Sequence, residues 1–284
     1  MKELDFWLPD WESAKKVFDF YSVESNCFAA WGKLKICPHY VVAMGSDMIS
    51  AYYAAYIAEL ARKQCHIMPR ILCVGGLGKL SKYTNRLDDG TVLGDGHMLW
   101  WVIRQLGNYP ITILDRANST SENLKEIADY LAYKNEQNAE LIICLPKRIS
   151  KRVELANASL PIQFIGTRKL NAYYYVPGET MEEMCCLYNG KAVAGGLPLL
   201  TEAADLFNRM SVYDGMHFNM HGKSANKDLL IAGETLMHRY PLNISHCLLS
   251  APLQFCKIRF GLMWHQKEIA ADLRKKILEW QCYV

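Results

Sequence analysis

"HYVVAMGSDMISAYYAAYIAELARKQCHIMPRILCVGG", residues 39–76, decides the fold. It is an apolar run ending in glycine, an alanine-rich stretch with helical spacing, and a second apolar run ending in two glycines. A short apolar strand, an amphipathic helix and another apolar strand make a βαβ unit, whose two strands run parallel. The same alternation continues outward. "GHMLWWVIRQLG" (96–107) reads as a helix, "ITILD" (111–115) as a strand and "SENLKEIADYL" (121–131) as a helix. "AELIICLP" (139–146) leads into "SKRVELANA" (150–158), and "IQFIG" (162–166) and "AYYYV" (172–176) read as the last strands. Strands that are apolar on both sides belong to a sheet covered on both faces. The expectation is an α/β, Rossmann-like three-layer core with a parallel sheet over residues 39–176.

Flanking segments read differently. "WESAKKVFDFY" (11–21) and "CFAAWGKLK" (27–35) suggest an N-terminal helical segment over residues 1–38. Past Pro177 the periodicity turns helical, in "TEAADLFNRM" (201–210), "NKDLLIAGETLMHRY" (226–240) and "QKEIAADLRKKILEW" (266–280), so residues 177–284 are expected to form a helical C-terminal portion.

Composition narrows the function classes. The chain has 284 residues, 51% of them hydrophobic, 21% charged, and a formal net charge of +3. That excludes a disordered chain and a general polyanion binder, so no nucleic-acid partner is expected. No apolar stretch reaches the roughly 20 residues that span a bilayer, and "MKELDFWLPDWESAKK" lacks the basic start and apolar core of a signal peptide. Ten cysteines are scattered without a CxxC, with Cys73 and Cys144 inside apolar runs, which reads as reduced thiols in a cytoplasmic protein.

In an open parallel sheet, ligands bind outside the carboxyl ends of the strands. Four such ends carry special residues: Gly45-Ser46, Gly75-Gly76, Asp115 to Asn123, and Pro146-Lys147-Arg148. Small residues let a ligand approach the backbone, and the helix starts beyond them offer N–H groups and a positive dipole end. Ser119-Thr120-Ser121-Glu122 matches the capping box S-x-x-E, which accounts for Ser119 and Glu122 as structure alone. Asp115, Thr120 and Asn123 have no such role. In "PKRISKR" (146–152) the cations of a helix start oppose its dipole and favour an anion near Lys147, Arg148 or Arg152.

The order of "VVAMG", "CVGGLG", "LDRANSTSEN" and "IICLPKRISKR" resembles the YdcF-like proteins, a family sharing a domain of unknown function with SanA and ElyC. Thr120, Glu122 and Asn123 carry its T-x-E-N element. Ala117 stands where the family has serine, and Val74-Gly75-Gly76 where S-G-G is usual. Asp95 or His97 stands in for its glutamate, and its arginine aligns with Arg152 or Lys151. The resemblance implies a Rossmann-like fold and, in the soluble YdcF-type branch, binding of S-adenosylmethionine.

Other motifs add little. "GGLGKLS" (75–81) lacks the third glycine of a dinucleotide fingerprint. His217 and His221 are spaced i,i+4, but Gly222 follows and no third ligand is evident, so no metal is expected. Two function classes remain. One is a protein binding a small anionic or nucleoside-type ligand, S-adenosylmethionine first among them, through Gly45, Ser46, Gly75, Gly76, Ser119, Thr120, Asn123 and Lys147. No methyltransferase motif accompanies it. The other is a hydrolase or group-transfer enzyme acting on a cell-envelope precursor, with Asp115 and Glu122 as acid and base and Arg152 beside them. The sequence does not fix the oligomeric state.

Overall fold

A computed structural model describes residues 19, 23–45, 48–77, 89–177, 187–188, 191–192, 271–277 and 279–280. The element order is β1 (Tyr40–Met44), α1 (Ile49–Cys65), β2 (Arg70–Val74), α2 (Asp95–Leu106), β3 (Ile111–Leu114), α3 (Thr120–Tyr133), β4 (Glu140–Cys144), α4 (Lys147–Gln163), β5 (Asn171–Tyr175), and a short antiparallel pair, β6 (Leu187–Tyr188) and β7 (Lys191–Ala192). Two compact units divide these residues. Glu24–Pro146, Ala156–Pro177 and Gln266–Val284 make up the first, while Lys147–Leu155 and the β6–β7 pair belong to the second.

The first unit holds a five-stranded sheet in the order β3-β2-β1-β4-β5, with every pairing parallel. This is the expected Rossmann-like α/β arrangement. Strand alternation sorts the core into two layers. Val41, Ala43, Ile71, Cys73, Ile142 and Cys144 form one cluster with apolar side chains of α1 and α2. Tyr40, on the opposite face, meets α3, its ring 6.0 Å from that of Tyr130 and its hydroxyl donating to Glu136 at 2.6 Å. Residues 271–277 and 279–280 are helical, in agreement with the pattern there. Leu273 and Ile277 join the α1 layer, and Trp280 packs against Tyr56 with ring centroids 5.4 Å apart. The rest of the C-terminal portion, like residues 1–18 and 20–22, lies outside the described residues.

Two secondary-structure expectations fail. "CFAAWGKLK" is no α-helix. Phe28 and Leu34 form an antiparallel bridge around a 3-10 turn, Ala30–Gly32, in which Trp31 and Gly32 take φ of 65° and 69°. Left-handed backbone cannot continue a right-handed helix. Ser25 and Asn26, just before this segment, cover the edge of β5. Asn26 exchanges hydrogen bonds with the Tyr174 backbone, and the Ser25 hydroxyl accepts from Val176 N–H and donates to Val176 C=O. Covering an edge strand blocks pairing with other chains. "IQFIG" is no strand either. α4 runs on to Gln163, Phe164 caps it and Gly166 turns the chain at φ 86°. The turn leaves Ile162 and Ile165 exposed.

Asn157 sets the return from α4 into β5. Buried, it accepts from Leu170 N–H at 2.9 Å and donates to Leu170 C=O at 3.1 Å. Asn157→Leu keeps the volume and strands both backbone groups, so urea unfolding should show a loss of about 2 kcal/mol. An unchanged midpoint would mean that water replaces the amide.

Not all cysteines are reduced. Cys37, just before β1, is bonded to Cys65 at the end of α1, with Cα atoms 5.6 Å apart, inside the range disulfides occupy. Cys27, Cys73 and Cys144 are free and buried, as expected of the last two, and burial pushes the Cys27 thiol up to about 12. No helix among the described residues is long and apolar enough to cross a membrane.

Candidate functional site

The strand order reverses between β1 and β4, and the carboxyl ends of all five strands lie on one edge. Gly45, at the end of β1, takes φ 97°, a conformation glycine adopts without strain. Ser46 lies outside the described residues. Lys147 and Arg152 stand in the first half of α4, within the second unit. The residues described together on this edge are therefore Gly45, Gly75, Gly76, the start of α2 and the β3–α3 connection.

Gly75 and Gly76 both have structural partners. Gly75 N–H donates to Leu114 C=O at 2.8 Å and Gly76 N–H to Ala117 C=O at 2.8 Å, while their carbonyls accept from Gly96 and Asp95 N–H. Both amides that could have met an anionic ligand are thus engaged by protein. The pair brings the backbones of β2, the β3–α3 connection and the start of α2 together. Gly96 belongs to the same junction, since a Cβ there would lie 2.8 Å from Cys73 C=O. The sequence shows these glycines without showing their partners, which come from distant segments.

The β3–α3 connection is organised by two carboxylates. Ser119 caps α3, its hydroxyl accepting from Glu122 N–H at 3.3 Å. Glu122 reaches back to Asn118 N–H at 2.7 Å, one residue before the usual capping-box partner. Glu126, one turn on, accepts from Arg116 and Ala117 N–H, each at 3.2 Å. Sequence reading missed Glu126. Its signal was the i,i+4 spacing with Glu122, which puts both acids on one helix face beside a loop with N–H groups to satisfy. Glu122→Gln should leave the melting temperature almost unchanged, because the amide oxygen still accepts, and Glu122→Ala should cost about 1 kcal/mol. Equal, large losses in both would contradict a capping role.

Asp115 differs from these acids. It stands at the carboxyl end of β3, about 44% exposed, and its Oδ2 lies 3.4 Å from Nδ1 of His97 in the first turn of α2. No backbone N–H among the described residues donates to it. Thr120 opens α3, and Oδ1 of Asn123 is buried with no donor among the described residues. Burial with no donor leaves a polar group that wants a partner.

No family model, curated protein or solved structure matches the chain. The likeness to YdcF-like proteins therefore rests on the quoted residues alone.

Proposed function

We propose that the protein binds a small nucleoside-type ligand over the carboxyl edge of its parallel sheet, with S-adenosylmethionine the first candidate. One observation carries this reading: Asp115 is the acid of the β3–α3 connection left free of backbone N–H groups among the described residues, while Glu122 and Glu126 are occupied. A half-exposed carboxylate on that edge suits the hydroxyls of a ribose, and the unsatisfied Asn123 oxygen suits an amino donor. Membership of the YdcF-like family belongs to the same proposal, supported by Thr120, Glu122 and Asn123. So does a cytoplasmic location, which the buried free thiols favour and the Cys37–Cys65 bond disfavours.

Thermal shift against S-adenosylmethionine, adenosine, ATP and a sugar phosphate tests the reading. A ligand at 100 times its dissociation constant should add about 2.7 kcal/mol of stability. Asp115→Asn should weaken binding about tenfold or more, as expected for one charge-assisted hydrogen bond. No shift with any of the four, or an unaltered affinity in Asp115→Asn, would overturn it. The hydrolase reading keeps Asp115 but loses Glu122 as its partner, because that carboxylate is engaged with Asn118.

A further inference from the structure

We propose that His97 is a general base, positioned by Asp115, for water attack on a neutral acyl ester held at this edge; the proposal rests on the edge being a ligand site. The geometry has three parts. First, Nδ1 of His97 is buried without a hydrogen bond among the described residues and lies 3.4 Å from Asp115 Oδ2, while about 38% of the side chain is exposed. The exposed part of the side chain therefore excludes Nδ1. Second, the negative charge beside Nδ1 favours the tautomer with its proton there, and in that tautomer the Nε2 lone pair is the one that can accept a proton. Third, both residues sit on rigid backbone. Gly96, directly before His97, is bonded to Gly75, and the loop that carries Asp115 is held by Glu126 and Glu122. A site assembled this way keeps its groups in place before substrate arrives.

Substrate charge follows from Asp115. An anionic phosphoester would approach a carboxylate, whereas a neutral carboxylic ester meets no such repulsion. In the step, Nε2 takes a proton from water as the water oxygen bonds to the ester carbonyl carbon. The tetrahedral oxyanion then collapses, the carbon–oxygen bond to the alcohol breaks, and the imidazolium returns its proton to the leaving alkoxide. Ester and water become carboxylic acid and alcohol, with no other reactant.

The experiment follows hydrolysis of p-nitrophenyl acetate and p-nitrophenyl butyrate by the full chain, alongside its melting temperature. His97→Ala should lose about 100-fold or more in kcat, the usual contribution of a general base, and should melt as the parent does. Asp115→Asn should lower kcat and leave KM for these esters unchanged, because they lack the hydroxyls that Asp115 would bind and it acts on them through the imidazole. His39→Gln, an exposed histidine at the amino end of β1 and so on the opposite edge, should hydrolyse at the parental rate. Turnover of neither ester, or a parental rate in His97→Ala, overturns the proposal. Should the thermal-shift ligands bind while no ester turns over, the base falls and the ligand site stands; failure of both removes both.

Discussion

Gly76→Ala should destabilise the protein by about 3 kcal/mol or more, the upper range for forcing atoms into a packed interior. A Cβ on Gly76 would lie 2.4 Å from the carbonyl oxygens of both Ala117 and Asp115. Neither oxygen is the end of a flexible side chain. The Ala117 carbonyl accepts from Gly76 itself, and the neighbouring backbone is tied down by Glu126. Gly76 in turn accepts from Asp95 N–H at 3.2 Å, so moving it away from β3 pulls on α2. Gly32→Ala is the control. Nothing lies within 4 Å of a Cβ there and only φ of +69° is disfavoured, so about 1 kcal/mol is expected. Chemical unfolding of both variants reads the difference. Equal losses would mean that conformational freedom, and not close approach, is what Gly76 supplies.

That contrast also marks the reach of sequence reasoning. The sheet was legible because its signal is local. "VVAM", "ILCV" and "LIIC" are apolar on both faces, and the helices between them carry their own period. The purpose of a glycine is not local. Gly75 and Gly76 read as a ligand cradle in sequence, and in the structure they and Gly96 join three backbone segments that lie apart in the chain. Glu122 shows the same limit. Its helix position was readable, but Asn118, its actual partner, depends on how the connection turns. "IQFIG" misled because a short apolar run suits a strand or a helix end equally, and only the continuation of α4 through Pro161 decides. His97 was visible only as a stand-in for another residue. Its significance arises from Asp115, eighteen positions on, brought opposite by the parallel pairing of β2 with β3.

The Cys37–Cys65 bond carries the other large effect. With 28 residues of separation, loop-closure entropy predicts that opening it costs about 3.5 kcal/mol. The loop encloses β1 and α1, and β1 is the central strand, so the unfolded chain freed by reduction gains freedom in the segment on which the sheet is built. Cys37→Ser under non-reducing conditions should lower the urea midpoint by that amount, and dithiothreitol should bring the parent down to the same value. The buried free thiols do not confuse the comparison. Desolvation holds Cys73 and Cys144 above the ordinary thiol range, as it does Cys27, and a thiol that does not ionise does not exchange. Identical midpoints for parent and Cys37→Ser would show that the bond adds no stability. A drop near the predicted size would show that the bond ties the β1–α1 segment in place, a contribution that a reducing environment removes.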